Sequence, residues 1–284
     1  MRSRRQSALQ KQGQRRKASE SMENIKNRER RIAQELELLK KRQYVSVKEL
    51  AEMLNVSVMT IRRDLELLRK NHVLERSHGY ATLVKSGYGY ANDGEVYDLR
   101  MARIQNINEK DRVAKYAATL VSPGDWIFLD NGTTVARIVH YLPTDFEFTA
   151  VCYNFAILLE LLKHPNIKII FPGGYYHPED YNFTSSEAVD FIRRHRANKS
   201  FLSVSGIHES LGITCINSLL VEHKRAMIAS SAVNIIMADS SKFGVVKANH
   251  FADISDIDMI ITDNKLSPEW QECLSKANIK FKLV

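Results

Sequence analysis

The sequence has few cysteines and no long apolar run, and both features limit the kinds of protein it can be. Its three cysteines, Cys152, Cys215 and Cys273, are widely spaced and form no Cys-x-x-Cys pair, so neither a disulfide framework nor a structural zinc site is expected. No run approaches the roughly 18 apolar residues of a membrane span, and the amino terminus is basic with no apolar stretch behind it. These absences predict a cytoplasmic protein that binds no metal and no cofactor.

Positive charge is concentrated at the amino terminus. Residues 1–31 contain eleven lysines and arginines against three glutamates, a net charge of +8 that equals the charge of the whole chain. Residues 1–27 are rich in Arg, Lys, Gln and Ser, and we expect them to form a basic disordered arm that contacts phosphates without reading sequence. The alternative is a misplaced start of translation, with Met22 as the true first residue.

The segment 28–85 has the spacing of a winged helix-turn-helix. An amphipathic pattern after Glu29 predicts a first helix. Ser46, with Glu49 three residues later, forms a capping-box pattern that opens a second helix, and Ser57 caps a third. The inward face of this third helix is expected to consist of Val58, Ile61, Leu65 and Leu68. The strand-turn-strand pattern at 73–84 predicts the wing.

With this face buried, the other side of the third helix is exposed near its amino terminus. DNA-binding helices that enter the major groove make their contacts from this part of the helix. Hydroxyl and arginine side chains there can bind phosphates and base edges. The candidate DNA-binding residues are Ser46, Ser57, Met59, Thr60, Arg62, Arg63 and His78. An ordinary helical hairpin with solvated arginines is the alternative, but it does not account for the wing.

Beyond residue 112 strand and helix patterns alternate. Apolar strands are predicted at 126–130, 148–154, 168–174, 199–207, 234–239 and 259–263, with helices between most of them and a further helix beginning at Thr134. Near-continuous apolar strands separated by helices predict a mostly parallel, doubly wound α/β domain over 113–284. Residues 86–112 are interpreted as a linker and helix that can contribute to dimer packing, so we expect a homo-oligomer.

Polar and glycine residues follow these strands, at the edge where parallel sheets bind ligands. The candidate effector-binding residues are Asp130, Asn131, Gly132, Thr133, Thr134, Asn154, Gly173, Gly174, Gly206 and Lys242. A glycine turn with hydroxyls at a helix start suits a phosphate, Lys242 supplies a cation, and Asp130 and Asn154 can accept hydrogen bonds from sugar hydroxyls. A turn that only caps a helix, and a solvated loop lysine, are the alternatives.

These motifs resemble those of the DeoR family of bacterial transcriptional regulators. TIRRDLELL at 60–68 is similar to the family's winged helix-turn-helix. LDNGTT at 129–134, PGG at 172–174, SGIH at 205–208 and DSSKFG at 239–244 are similar to its sugar-phosphate-sensing domain. The resemblance covers about residues 28–284 and implies a sensing domain with a fold like that of ribose-5-phosphate isomerase.

The resemblance also implies a function. It implies a repressor that binds double-stranded operator DNA and leaves it when a phosphorylated sugar binds, with deoxyribose 5-phosphate as the first choice. The chain departs from the family at Leu220, where many members have an acidic residue, and in the loop 175–184, which lacks a glycine near its end. Both departures bear on how the sugar is recognised.

Two other functions compete with this one. A sugar-phosphate isomerase or deaminase could use Asp130, Asp239 or Glu222 as a general base, but it would have no need of residues 29–85. A nonspecific nucleic-acid-binding protein led by the basic arm would leave the α/β domain without a role. The sequence therefore favours a regulator that is not an enzyme.

Overall fold

The structure is a computed structural model that describes residues 27–28, 30–39, 41–42, 45–70, 73–77, 80–83, 88–89 and 97–284. Nearly all of the expected basic arm (1–27), the wing residue His78 and much of the expected linker lie outside these residues. The chain divides into an amino-terminal unit, which ends at residue 85 and includes 103–105, and a carboxyl-terminal unit of 86–102 and 106–284. The boundaries at 28, 86 and 113 stay predictions.

The amino-terminal unit has the elements expected of a winged helix-turn-helix. Its elements are α1 (30–39), β1 (Val45–Ser46), α2 (Val47–Met53), α3 (Val58–Lys70), β2 (Leu74–Ser77) and β3 (Tyr80–Leu83). The strands form an antiparallel sheet in the order β1-β3-β2. The hairpin of β2 and β3 is the wing that the sequence predicts.

Apolar residues at helical spacing form the core of this unit. Ile61, Leu65 and Leu68 of α3 are fully buried, as their spacing predicts. Val58 was expected on the same face but is 37% exposed. It is the first residue of α3, one turn before Ile61, and the small core does not extend to that end of the helix.

The rest of the chain forms the carboxyl-terminal unit together with the segment that leads into it. Its first elements are β4 (Tyr88–Gly89), β5 (Tyr97–Asp98), α4 (Leu99–Ile104), α5 (Ile107–Ala118), β6 (Trp126–Leu129), β7 (Phe148–Cys152), α6 (Phe155–Leu161), β8 (Ile167–Ile170), β9 (Tyr175–His177) and β10 (Asn182–Thr184). They are followed by α7 (Ser186–Arg194), β11 (Ala197–Leu202), β12 (Gly206–His208), β13 (Gly212–Cys215), α8 (Val221–Ala229), β14 (Ser231–Met237), β15 (Asn249–Ala252), β16 (Met259–Thr262), α9 (Pro268–Lys276) and β17 (Lys280–Leu283). Short 3₁₀ helices cover Val135–Tyr141, Ser218–Leu220, Ser240–Lys242 and Ile254–Asp256.

Within residues 97–284, seven strands form one sheet in the order β17-β16-β14-β11-β6-β7-β8, with every neighbouring pair parallel. Successive residues of a strand point to opposite faces, and both faces are covered. Ile127 and Leu129 pack in one buried apolar cluster and Phe128 packs in the other. The prediction of a mostly parallel, doubly wound sheet is confirmed.

The structure corrects two predicted elements. The strand expected at 199–207 is divided into β11 and β12, and β12 belongs to a separate antiparallel sheet in the order β12-β13-β15. The helix expected from Thr134 is a 3₁₀ helix. Cys152 and Cys215 are buried core residues, as expected.

The described residues include no helix with enough consecutive apolar residues to span a bilayer. No group of three or more His, Cys, Asp or Glu among them is arranged to hold a metal ion.

Candidate DNA interface and effector site

The amino-terminal half of α3 presents polar side chains on an exposed face. Ser57 begins the helix by accepting a hydrogen bond from the Thr60 amide at 3.1 Å, and the two hydroxyls lie 2.8 Å apart. Met59 is 55% exposed, and Arg62 and Arg63 are also exposed. The structure therefore brings these five predicted DNA contacts onto one part of one helix.

Ser46 lies at the start of α2, where its hydroxyl is already used. The Ser46 hydroxyl accepts from the Glu49 amide at 3.2 Å, and the Glu49 carboxylate accepts from the Ser46 amide at 2.8 Å. This is the predicted capping box. The DNA contact of Ser46 stays a prediction, as does that of His78, which lies outside the described residues.

A buried carboxylate on α3 holds two arginines that precede or belong to α1. Asp64 is 1% exposed, and its two oxygens accept from Arg28 Nε at 3.0 Å and Arg31 Nε at 2.6 Å. Glu35 is fully buried beside Asp64, and no donor lies within reach of its two oxygens among the described residues. Burial above all, and then the charge of Asp64, raises the pKa of Glu35 to about 8. Glu35 therefore carries a proton at neutral pH, which Asp64 is placed to accept.

The strand order of the carboxyl-terminal sheet reverses at β6. From β6 the chain moves outward through β7 and β8, and then returns to the other side of β6 with β11. Ligands of open α/β sheets bind outside the carboxyl ends of the strands at such a reversal of order. Asp130 follows β6 and Ser203 follows β11, so both residues lie at this position.

Asp130 is at the centre of a buried ion pair. Its carboxylate is fully buried and accepts hydrogen bonds from the Lys224 ammonium group and the Tyr153 hydroxyl. Ser203 adds its amide at 2.8 Å and its hydroxyl at 2.7 Å. Lys224 is itself 2% exposed and also donates to the Ser203 carbonyl at 3.0 Å. Protein donors contact both Asp130 oxygens, three at Oδ2 and Tyr153 at Oδ1, and a direct hydrogen bond from a sugar to Asp130 stays a prediction.

Two further buried groups adjoin this ion pair. Burial, with the nearby charge of Asp130, raises the pKa of Tyr153 well above its ordinary value, so its hydroxyl stays protonated. The ring of His223 lies 4.9 Å from that of Tyr153. His223 is 2% exposed, neither of its ring nitrogens has a hydrogen-bond partner among the described residues, and burial lowers its pKa. At neutral pH His223 is uncharged.

The turn 131–134 has the close approach that its glycine predicts. Gly132 has a φ of +116°, and a Cβ built on it would lie 2.5 Å from the Cβ of Ser203. The amides of Gly132, Thr133 and Thr134 have no acceptor among the described residues. Thr134 makes no side-chain cap, and the seven-residue 3₁₀ helix after it replaces the α-helix start that was expected to face a phosphate. Open backbone amides, rather than a helix end, are what this turn offers an anion.

Asn154 has a structural role that the sequence did not indicate. Its carbonyl oxygen caps α6 by accepting from the Ala156 and Ile157 amides. Its nitrogen donates to the Asp180 carbonyl at 3.1 Å and to Asn182 Oδ1 at 2.8 Å. Because the oxygen already accepts twice, a sugar hydroxyl would have to displace one of these amides, and the contact of Asn154 with a sugar stays a prediction.

The three remaining glycines differ in what surrounds them. Gly173 has a φ of +78° and open space where a Cβ would stand. A Cβ on Gly174 would lie 2.6 Å from the Thr184 carbonyl. Gly206 is the buried first residue of β12, where a Cβ would lie 2.3 Å from the Val245 carbonyl oxygen. Packing therefore requires glycine here, at the amino end of a short antiparallel strand and not at the carboxyl end of a parallel one.

The strand end after β14 carries a second polar cluster. Asp239 is 1% exposed, and its Oδ1 accepts from Asn106 Nδ2 at 2.9 Å, from the Ser241 amide at 3.1 Å and from the Ser241 hydroxyl. Its Oδ2 is buried without a donor among the described residues. Lys242 is half-buried, and no described residue pairs with its ammonium group. This cation lies two strands away from the turn 131–134 along the same edge of the sheet.

A groove of about 480 Å³ lies next to the buried network. Its lining residues come from α7 and α8 and from segments beside them, and include Tyr175, Thr184, Ser185, Arg193, Glu222 and His223. Among the predicted effector residues, none lines this groove. His223 connects the two regions, because it both lines the groove and contacts Tyr153.

Several residues of this site were missed from the sequence. Lys224 and His223 lie on α8, and Ser203 follows β11. Lys224 had a detectable signal, since it follows the buried Leu220 by four residues and precedes the buried Met227 by three. A lysine on such an apolar stripe needs a buried anion as its partner.

Two family models match the chain. The model described as "DeoR-like helix-turn-helix domain" matches residues 31–87, and the model described as "DeoR C terminal sensor domain" matches residues 105–264. The second match alone covers more than half of the chain. These matches confirm the resemblance that the motifs at 60–68 and 129–134 carry.

Two regulators are similar to the chain over most of their own length. The "Uncharacterized HTH-type transcriptional regulator YulB" of Bacillus subtilis is 33% identical over 249 residues, which cover 88% of this chain and 94% of that protein. The "Deoxyribose operon repressor" of Escherichia coli is 31% identical over 256 residues, which cover 89% of this chain and 98% of that protein. The solved ribose 5-phosphate isomerase A of Methanocaldococcus jannaschii aligns with 49% of this chain and 55% of its own, at 15% identity and a TM-score of 0.36.

Proposed function

The chain belongs to the DeoR family of transcriptional regulators, and from that premise we propose that it represses a sugar-related operon and leaves the operator when a phosphorylated sugar binds. Deoxyribose 5-phosphate is the first choice of effector, because the deoxyribose operon repressor is 31% identical to this chain. In this proposal the protein acts in the cytoplasm as a homo-oligomer and is not an enzyme.

The geometry of α3 supports the DNA-binding part of the proposal. Arg62 and Arg63 are exposed next to Met59 and Thr60, on the opposite side from the buried Ile61 and Leu65. A recognition helix places this type of surface in the major groove, with arginines binding guanine edges or phosphates.

The buried pair of Asp130 and Lys224 is the observation that carries the effector part. It lies at the reversal of strand order, where ligands of α/β sheets bind. Burying two charges costs several kcal/mol per ion unless other polar groups support them, and here Ser203 and Tyr153 do so. Beside it, the open amides of 132–134 suit the oxygens of a phosphate. Lys242 offers a cation on the same edge of the sheet.

The state of two of the three candidate bases, Asp130 and Glu222, supports a regulator over an isomerase, while Asp239 keeps one oxygen without a donor among the described residues. A general base needs an oxygen that can take a proton from the substrate. Both oxygens of Asp130 are bonded to protein donors, and Glu222 is exposed and pairs with Arg193 and Arg225. Proton abstraction from a sugar would require either group to leave these partners first.

Titration of sugar phosphates against a protein–DNA complex tests the proposal. A DNA site selected from a random duplex library by the full chain provides the operator. Deoxyribose 5-phosphate should release this DNA and raise the melting temperature of the protein, because a ligand at about 100 times its Kd stabilises by about 2.7 kcal/mol. Deoxyribose and inorganic phosphate serve as controls and should do neither. A panel of pentose and hexose phosphates without any effect would refute the proposal.

A substitution of Lys242 tests whether this residue binds the phosphate. Lys242→Ala should bind the selected DNA as the parent protein does and lose most of its response to the sugar phosphate. Lys276→Ala, which removes an exposed lysine from α9, should respond normally. A Lys242→Ala protein that is released at the parent concentration of effector would move the phosphate away from this residue.

A further inference from the structure

Asn106 lies where the chain passes from one compact unit to the other. Residues 103–105 belong to the amino-terminal unit, and the chain from residue 106 onward belongs to the carboxyl-terminal unit. Asn106 follows α4 and directly precedes α5. Its backbone is left-handed, with φ 51° and ψ 37°, which asparagine tolerates better than most residues. The direction of the chain between α4 and α5 is therefore set at this residue.

The Asn106 side chain does not do what asparagine usually does at a helix start. Asparagine is among the residues that most often cap a helix with the side-chain oxygen. In α5 that cap is not formed. Asn106 Nδ2 instead donates to Asp239 Oδ1 at 2.9 Å and lies 3.4 Å from the Ser241 hydroxyl. The amide is thus aimed at the turn that follows β14.

The first turn of α5 is held separately to the same edge of the sheet. Glu109 Oε1 accepts from Lys265 Nζ at 2.7 Å. The Lys265 amide donates to Asp263, whose carboxylate also binds the amide and hydroxyl of Ser240. Because α5 has this second attachment, loss of the Asn106 hydrogen bond would leave α5 in place. The conformational change would therefore affect the left-handed backbone at residue 106 and the residues that precede it.

We propose that the hydrogen bond from Asn106 to Asp239 couples the effector site to the DNA-binding unit. This inference rests on the proposed function, because the turn 239–242 carries Lys242, the suggested cation for the phosphate. Asp239 Oδ2 is buried without a donor, so a sugar hydroxyl or a shift of the turn could alter this carboxylate's bonding. Any movement of Asp239 or Ser241 changes the acceptors of the Asn106 amide. The backbone at residue 106 then relaxes and passes the change to residues 103–105, which belong to the amino-terminal unit.

Variants at residue 106 test the coupling. Asn106→Gly removes the donor and adopts a left-handed backbone without strain. Asn106→Asp keeps the size of the side chain but places a carboxylate against Asp239. In the parent protein the sugar phosphate should weaken DNA binding by about 5- to 150-fold. In both variants the ratio of the Kd for DNA with and without effector should fall to about twofold or less. The thermal shift caused by the sugar phosphate should persist.

Asn278 offers a matched control, because it is also a left-handed asparagine, with φ 57°, and it follows α9. Asn278→Gly should keep the parent ratio of Kd values. Variants at 106 that respond to the effector like the parent protein would overturn the coupling role while the proposed function stands. A parent protein that no sugar phosphate stabilises or releases would overturn both. These two failures are therefore distinguishable.

Discussion

Replacing Glu35 by glutamine should stabilise the amino-terminal unit, and the gain should increase with pH. Glu35 is fully buried beside Asp64, and none of the described residues donates a hydrogen bond to it. Glutamine has nearly the same shape as the protonated side chain, and its amide can donate to Asp64 as the carboxyl proton does. The substitution therefore keeps the neutral state that the fold favours and removes the group that ionises.

The size of the effect follows from the pKa. Burial and the charge of Asp64 raise the pKa of Glu35 from 4.5 to about 8. Because the native state holds a proton that the unfolded state releases, the free energy of unfolding falls as the pH rises through this window and is level outside it. At about pH 7 the loss is about 3 kcal/mol, and above about pH 8 it approaches about 5 kcal/mol, at ~1.36 kcal/mol per pKa unit. Glu35→Gln should recover these amounts.

Amide hydrogen exchange of the full chain can measure this change within one unit. At about pH 7 the slowest amides of residues 58–70 should exchange about a hundredfold more slowly in Glu35→Gln. Glu37→Gln, an exposed position on the same helix, should change stability by less than about 0.5 kcal/mol. Fluorescence of Trp126 and Trp270, which lie in the carboxyl-terminal unit, should be unaffected. If the stability that Glu35→Gln adds is the same at all pH values between about pH 5 and pH 9, the reasoning is refuted.

Three other predictions concern charged residues. Arg62→Ala or Arg63→Ala should weaken operator binding, with a lower salt slope for a phosphate contact or a loss of about 1–3 kcal/mol at one base pair for a base contact; folded variants that bind like the parent would show that α3 is oriented differently. Lys224→Met should destabilise the carboxyl-terminal unit by about 3–5 kcal/mol in urea unfolding, because Asp130 keeps a buried charge without its cation; unchanged stability would mean that water reaches this carboxylate. Deleting residues 1–21, which contain seven basic residues, should reduce the salt dependence of nonspecific DNA binding while the preferred sequence stays the same; an unchanged salt slope would support translation from Met22.

The elements that the sequence predicted well are those whose apolar residues repeat at a fixed spacing. The buried Ile61, Leu65 and Leu68 follow helical periodicity, so both the helix and its outward face could be predicted. The strands of the parallel sheet are apolar on both faces and could be recognised without an alignment. Val58 was assigned wrongly because periodicity gives the direction of a side chain but not the end of the core.

The contents of the candidate site were harder to predict, because they depend on residues far apart in the chain. Asp130 was correctly located at a strand end, but its carboxylate binds Lys224, which only the fold brings to it. Asn154 was also correctly located, and its oxygen makes a local cap of α6. Gly206 was assigned to a strand end because β11 and β12 are separated by only three residues. The close approach of Val245 to Gly206 could not be inferred from spacing. Local sequence therefore predicted where polar groups lie but not which partners they have.

The ion pair of Asp130 and Lys224 joins residues 94 positions apart, which sets an order on the assembly of the sheet during synthesis. β6 is complete long before α8 has left the ribosome. Until α8 packs, Asp130 has no cation, and enclosing a lone carboxylate would cost several kcal/mol. The carboxyl end of β6 should therefore stay hydrated while β7, β8 and β11 are added. The carboxyl end of β6 is then closed only after α8 has packed, and chains truncated before residue 224 should expose it to proteases.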